Sequence, residues 1–488
     1  MSAVALFEHY VEYLTSPAVL LTLVVVVVPI LLSITLDRLQ SRSPETVPGC
    51  RRIGLLHGRS NLEKQFARAP ETATAQVTAL FTYPIKSCCG IELPASQVDA
   101  SGLSFDRLFT FAQLVSRPAK KPSKVVAEPI TEWDHQWHFI TQREFPRLAL
   151  IKTELWLPDL RGRKSVISAD KSNESRENTT EGEAQPGTQS RTRGNTLISQ
   201  LELGGLMGRI SADPAEDVDW AAQGGCLIVR FPFEPDYNLL GLRTEYVTIK
   251  LPLVPTALRA QAKMYSQEQL SIWKDDTLAF NVTNEIDPKA LAKLKYFLGV
   301  SNPLALFRVD EMHMRAVSRC LPPNRQNHEI NIRFADSFPV NLLSLASICA
   351  IDDELPQDAS AKGKLDARRF RANIYVSGVQ AFEEYNWKRI TLGRRLGRDH
   401  QGLFETDAEY HVACRTARCK LPNVDTDTGV RDEPYSALRR TRKVDNGAYP
   451  HLSLGMQMIP LFQRGMIKVG DEVEVLETGG NCYDNTFA

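Results

Sequence analysis

From Ala18 to Leu36 the chain runs nineteen residues without a charge, including Val24-Val25-Val26-Val27-Val28. At about 1.5 Å of rise per residue such a helix is about 28 Å long, near the ~30 Å hydrocarbon thickness of a bilayer. Pro29 would kink it, which membrane helices tolerate. A cleaved leader has a shorter apolar stretch with basic residues ahead of it. Here Glu8 and Glu12 precede the run, while Arg38, Arg42, Arg51, Arg52 and Arg59 follow it. This asymmetry predicts an uncleaved anchor whose C-terminal side stays in the cytosol. The expected layout is a tail at 1–17, a transmembrane helix at 18–36 and a polar linker at 37–75, with a separable folded body beginning near Ala75.

The rest has the make-up of a folded body. Apolar residues are 43%, and 58 Lys+Arg balance 58 Asp+Glu, against the basic excess of a dedicated nucleic-acid binder. Nine cysteines, an odd count, do not form a disulfide framework. They suit a reducing compartment, where a thiol can be a metal ligand or a nucleophile.

Short apolar runs rich in β-branched and aromatic residues predict strands near Val77–Tyr83, Leu108–Val115, Trp137–Thr141, Leu148–Thr153, Asn373–Val376 and Ile467–Leu476. Asp287-Pro288, an apolar face at Leu291, Leu294 and Leu298, and then Gly299 predict one capped helix. The 27 residues 169–195 contain no Val, Ile, Leu, Met, Phe, Trp, Tyr or Cys and are expected to be a disordered insertion. A second polar stretch runs from about Asp352 to Arg368. The fold class expected is α+β with strands dominant.

Two segments could carry chemistry. In the first, Cys414 and Cys419 lie ahead of Asp425, Asp427 and Gly429. Arg418 and Lys420 flank Cys419 with positive charge, which favours a thiolate, a ligand for soft or high-valent metals. The bland reading is a surface loop with an ordinary Cys. Zinc spacing is not met. In the second, Tyr83-Pro84-Ile85-Lys86-Ser87-Cys88-Cys89 follows a strand, so Lys86 and Ser87 could take an anion; read alone, Lys86 is a solvated lysine. Arg107 and Arg371 lie beside apolar strands, where an Arg usually pairs with a carboxylate. No Ser-His-Asp order, carboxylate pair or GxGxxG stands out, and His411 near the two thiols has no strong claim.

Taken together and in this order, these segments resemble MOSC-domain molybdenum-cofactor proteins, in particular the mitochondrial amidoxime reducing component and its fungal relatives. The carriers are Tyr83–Ser87, Asp106-Arg107, Thr141–Leu148, Phe370–Gly378, Arg418-Cys419 with Val424–Gly429, and Ile467–Asp471. The resemblance implies an N-terminal MOSC-type β-barrel domain at 76–340 with insertions, a MOSC core β-barrel at 341–480 and a tail at 481–488. It implies Cys419 as the molybdenum ligand and catalytic residue, and Lys86, Ser87 and Arg107 on the pterin phosphate. Arg371 and Asn373 would contact the pterin, with Asp336, Ser337 and Arg418 completing the cofactor site. Phe338 and Ala417 stand where the family has hydroxyls.

The implied activity is reduction of N-hydroxylated substrates by the molybdenum cofactor. Electrons would come from a b-type cytochrome and its NADH-dependent reductase, at the mitochondrial outer membrane or the endoplasmic reticulum. The other function is a cofactor-binding or sulfur-carrier module, as in molybdenum-cofactor sulfurases. For that, 37–75 leaves no room for an aminotransferase-like domain, and pyridoxal phosphate enters only as a family-level term.

Overall fold

In the computed structural model the described residues are 16–22, 24–25, 28, 46–56, 58–66, 74–118, 133–159, 218–234, 245–323, 329–399, 402–481 and 483. The insertion expected at 169–195 and most of the 18–36 run lie outside them. Of that run, a helix Pro17–Thr22 is described, and among the described residues no helix is long and apolar enough to cross a membrane.

Strand Gln76–Thr82 is the seam between the two halves of the chain. It pairs antiparallel with its neighbour in sequence, Ile91–Leu93, on one side and with the distant Ile374–Ser377 on the other. From there an eleven-stranded sheet continues through Val340–Ser344, Leu452–Pro460, Gly402–Arg418, Trp387–Asp399, Arg464–Lys468 and Ala95–Asp99 to Gly102–Leu103, with Val473–Thr478 on the side of Trp387–Asp399. Its one parallel pair joins Val340–Ser344 to Ile374–Ser377. Parallel neighbours need a crossover. Helix Leu345–Asp353 and the 3-10 turn Ala367–Phe370 lie in it.

Strands Phe109–Pro118, Trp133–Phe139, Ser266–Ile272, Asp275–Asn281 and Leu304–Val309 close into a barrel. The closing contact is the parallel pairing of Leu270 with Trp137. Phe109, Phe111 and Phe307 from the barrel and Trp387 and Tyr410 from the large sheet belong to one buried cluster. The two bodies therefore share a core and cannot slide independently.

The single helix read from sequence forms as its signals dictate. Helix Pro288–Leu298 is capped by Asp287, which accepts from the backbone N–H of Lys289 and Ala290, and Gly299 ends it at φ 74°. The run Leu148–Thr153 does not form one strand. Pro146 starts a 3-10 turn, Pro146–Leu150, and the strand is Lys152–Pro158. The polar stretch after Asp352 is ordered by a buried carboxylate: Asp352 accepts from the backbone N–H of Gly363 and Leu365.

The stretch read as a linker is partly folded. Cys50–Ile53 pairs with Lys152–Pro158 in a four-stranded antiparallel sheet with Cys226–Phe233 and Glu245–Pro252. Cys226–Phe233 and Glu245–Pro252, which no sequence signal marked as strands, thus build a sheet apart from the barrel and the large sheet. The 3-10 turn Asn61–Lys64 carries a capping box between Ser60 and Glu63, and the Ser60 hydroxyl donates to Glu92 at 2.7 Å. Val47 and Leu62 are buried. Neither element has a periodic apolar signal, because Cys50–Ile53 has no fully buried side chain and Asn61–Lys64 buries only Leu62.

A truncation test follows. A chain starting at Thr46 should melt with the full-length protein. One starting at Ala75 should melt more than about 5 °C lower, since burial of Val47 and Leu62 contributes about 1.5–3 kcal/mol each. Equal melting temperatures by differential scanning fluorimetry would show that residues 46–66 do not stabilise the body.

Candidate cofactor site

After Gln76–Thr82 the chain turns through Tyr83–Gly90, and three backbone hydrogen bonds bind this turn to Arg107 and to Phe109 at the start of strand Phe109–Pro118. Lys86 N–H donates to Phe109 O at 2.9 Å, Phe109 N–H to Pro84 O at 2.9 Å and Arg107 N–H to Tyr83 O at 2.8 Å. Asp106 anchors the corner by accepting from the Tyr83 N–H at 2.8 Å. Ser87, Arg107 and Arg371 have left-handed backbones, at φ 68°, 49° and 53°. Such conformations are costly for residues with a Cβ and collect at functional sites.

The seam strand carries Lys86 and Ser87 toward Arg371 and Asn373, which precede its partner strand. One cavity of about 160 Å³ is lined by Lys86, Ser87, Arg107, Asp336, Ser337, Arg371, Asn373, Arg418 and Cys419, together with Thr141, Arg143, Trp273, Asn341 and Arg415. All nine residues singled out from sequence thus reach one space, although they are spread over more than three hundred positions.

Their partners divide them. Asn373 is a brace within the protein. Its Oδ1 accepts from Arg107 Nη1 at 3.1 Å and the Asn341 N–H at 3.2 Å, and its Nδ2 donates to Phe81 O at 3.2 Å. Arg107 pairs with Asp106. Burial disfavours its charge, but Asp106 more than offsets this and raises its pKa. The guanidinium groups of Arg107 and Arg371 lie 4.7 and 4.3 Å from the Tyr83 ring centre.

Arg371 and Arg418 have no carboxylate partner among the described residues. Arg371 Nη1 donates to Cys88 O at 2.6 Å; Arg418 donates to Leu454 O and Phe370 O, both at 2.7 Å. Burial lowers the pKa of both, Arg418 to about 10. Each keeps one buried terminal nitrogen, Nη2, without a hydrogen-bond partner, and so does the Thr141 hydroxyl. A Cβ on Gly455 would lie 2.7 Å from Leu342 O and 3.2 Å from Arg418 Nη2, so glycine there leaves room for the guanidinium. Buried donors of this kind call for an acceptor-rich anion. The donor set fits a pterin phosphate.

Cys419 follows the last residue of strand Gly402–Arg418, and its Sγ accepts from the Leu421 N–H at 3.4 Å. The loop beyond is tied by Asp425, which accepts from Thr428 N–H and Oγ1, both at 2.8 Å, and from Arg369 Nη2. Burial opposes the Asp425 charge, yet Thr428 and Arg369 hold its pKa down to about 2. Cys414 takes no part in the cavity. It packs with Val317, Ile330, Ile332 and Ile459, and its pKa is raised, first by a hydrogen bond with Cys320 and then by burial. Cys88 is likewise fully buried, which raises its pKa and makes it an inert thiol.

Lys86 is 7% exposed; its ammonium donates to Phe334 O at 2.8 Å and pairs with Asp336. It is not the solvated lysine of the bland reading. Burial pushes its pKa down to about 8 against the pull of Asp336. A lowered folded-state value means that the unfolded chain holds the proton at pH values where the folded one has released it. Ligand-free protein should therefore gain stability between pH 8 and about 10.5, while affinity for an inorganic phosphate probe falls over the same window. Melting curves and phosphate titrations from pH 7 to 10.5 check this, and Lys86→Met should flatten both. A wild-type profile already flat would contradict the assignment.

Sequence reasoning assigned no role to Arg143, Trp273, Arg415 or Asn341. Arg143 stood in a quoted motif, next to the cavity-lining Thr141. Trp273 left no signal, because an exposed aromatic in a two-residue turn has no pattern that points to a cavity.

Comparison with known proteins places family models on both halves. The MOSC N-terminal beta barrel domain matches residues 74–195 and the MOSC domain residues 329–474. Residues 196–328 fall between them, although they supply three strands of the closed barrel. The chain is 29% identical over 172 residues to mitochondrial amidoxime reducing component 2 of Rattus norvegicus, covering 33% of this chain and 44% of that one. It is 32% identical over 150 residues to mitochondrial amidoxime-reducing component 1 of Homo sapiens, covering 30% and 39%. It is 30% identical over 131 residues to a molybdenum cofactor sulfurase of Pyricularia oryzae, covering 24% and 14%. The chain thus spans less than half the length of these curated relatives. With both family models in their expected order over the strands described above, the chain belongs to the MOSC-domain proteins.

Proposed function

We propose that this protein is a membrane-anchored oxidoreductase that uses a molybdenum cofactor to reduce N-hydroxylated compounds. What carries the reading is one cavity that joins a single thiol, Cys419, to buried cations from both halves of the chain. When bound, the cofactor would supply the two-electron oxygen-atom chemistry.

The chain's own residues would hold and orient it. Cys419 would give its thiolate to the metal. Among the described residues no three His, Cys, Asp or Glu side chains gather to hold a metal by themselves, so the other donors would come from the cofactor. Lys86, Ser87 and Arg107 would hold the phosphate. The Nη2 atoms of Arg371 and Arg418 and the Thr141 hydroxyl would donate to pterin or phosphate oxygens. Asn373 would position Arg107, while Asp336 and Ser337 stand at the exposed rim.

Residues 18–36 would anchor the body with its cavity on the cytosolic side, in the mitochondrial outer membrane or the endoplasmic reticulum. Its relatives carry mitochondrial names. There a b-type cytochrome fed by an NADH-dependent reductase would deliver electrons.

The test is metal and pterin analysis of the purified full chain, with reduction of benzamidoxime to benzamidine by an artificial donor. Near-stoichiometric molybdenum and pterin with turnover support the reading. Both present without turnover would indicate a cofactor-binding or sulfur-carrier module, and absence of both would sink the cofactor reading.

A further inference from the structure

Three cavity-lining cations are answered by carboxylates: Lys86 by Asp336, Arg107 by Asp106 and Arg415 by Asp445. Of the remaining three, Arg371 and Arg418 are buried and suit the deep anion proposed above. Arg143 is different. It lies at the half-exposed rim, and among the described residues its guanidinium pairs with no carboxylate. It sits instead over the Trp273 ring, 5.0 Å from the centroid.

Trp273 itself is placed at a cost. It is the first of two turn residues between strands Ser266–Ile272 and Asp275–Asn281, with φ 59°, where Gly or Asn is the usual choice. It is nevertheless 45% exposed. Its ring meets Phe139 edge-on at 5.0 Å, and its Nε1 donates to Asp336 Oδ1 at 3.1 Å. Lys86 and Trp273 both bond Asp336 at Oδ1, and Asp336 makes no ion pair with Arg143. A strained, exposed indole held in place on several sides is a feature that folding alone does not call for.

We infer that Arg143 and Trp273 form a second, outer anion site that selects planar substrates bearing a carboxylate or similar anionic group, whose reacting end points inward toward Cys419. A guanidinium over an indole, with no carboxylate partner among the described residues, sets cationic donors beside an aromatic wall, which suits an aromatic acid. The inference rests on the reading of the inner cavity as the cofactor site and deepens it by naming a substrate class.

The test uses the full chain loaded with its cofactor and two probes of the same shape, 2-naphthoate and 2-naphthamide, in isothermal titration calorimetry at low salt. Naphthoate should bind at least tenfold tighter than naphthamide. Arg143→Gln should bring the ratio to about one. Trp273→Gly, which fits the left-handed turn without strain, should weaken both probes at least fivefold. Equal wild-type affinities would overturn the inference. So would loss of molybdenum and pterin in Arg143→Gln, which would assign Arg143 to the cofactor. Binding is read without turnover, so discrimination between the probes in a protein that reduces nothing would uphold the site and sink the reductase reading. Turnover without discrimination would do the reverse.

Discussion

Replacing Cys419 by Ser should abolish reduction of N-hydroxylated substrates and strip the protein of molybdenum, while Cys414→Ser keeps most of both. The two thiols lie five positions apart, and sequence position alone does not choose between them. Their surroundings do. Cys419 faces the cavity beside Arg418, just past the end of its strand. Cys414 is fully buried in an apolar pack against Val317, Ile330 and Ile332. Burial and the hydrogen bond with Cys320 keep its thiol protonated, and a protonated thiol is not a metal ligand. A serine at 419 is a harder donor that stays protonated near neutral pH. Since changes to the outer partners of a metal ligand cost 10–100-fold, loss of the ligand itself should exceed about 100-fold in activity. Cys414→Ser should instead lower the melting temperature, because a buried hydroxyl without a full set of partners costs about 1–3 kcal/mol. Donor-linked activity and molybdenum content, measured on both variants, decide the matter. Molybdenum lost from the 414 variant and kept in the 419 variant would reverse the assignment.

How far the sequence could be read depends on how local each determinant is. Helix Pro288–Leu298 is legible because its cap Asp287, its first-turn proline and its stop Gly299 all lie in one short run of sequence. The cavity was legible in part for the same reason: each of its segments is a compact string, Tyr83–Ser87 or Arg418–Gly429, that resembles a family pattern. Their meeting was not legible from periodicity. It depends on Gln76–Thr82 pairing with Ile374–Ser377, a contact across almost three hundred residues. The strand Cys50–Ile53 was missed because a four-residue edge strand with two arginines lacks the alternation that marks longer strands. The family resemblance makes Asn373 a ligand contact, whereas in the structure its amide bonds Arg107, Asn341 and Phe81. A side chain's partners cannot be read from its neighbours in sequence. Trp273 escaped altogether, since its place depends on three side chains from other elements.

Arg371 should separate holding the cofactor from holding the fold. In the ligand-free protein its buried guanidinium has only neutral partners, Cys88 O, Gln142 Oε1 and the Tyr83 ring. Desolvation of an ion costs several kcal/mol, and hydrogen bonds to charged groups return about 1.5–3 kcal/mol each. These terms nearly offset one another, so Arg371→Met should leave the ligand-free melting temperature within about 4 °C of wild type. Methionine keeps a long side chain at this site, and the left-handed backbone there is strained for either residue. The loaded protein should behave differently. There the unpartnered Nη2 would meet an anionic oxygen, and loss of one or two charge-assisted bonds weakens binding by about 10- to 100-fold or more. Pterin content after desalting should therefore fall by about 90% or more. The stabilisation that cofactor gives to wild type should shrink in step. Arg371→Lys should fall between the two, because lysine keeps the charge but not the planar fork. A Met variant that keeps its pterin but melts more than about 10 °C lower in the ligand-free state would make Arg371 a structural arginine, and the anion would have to be held by Lys86, Arg107 and Arg418 alone.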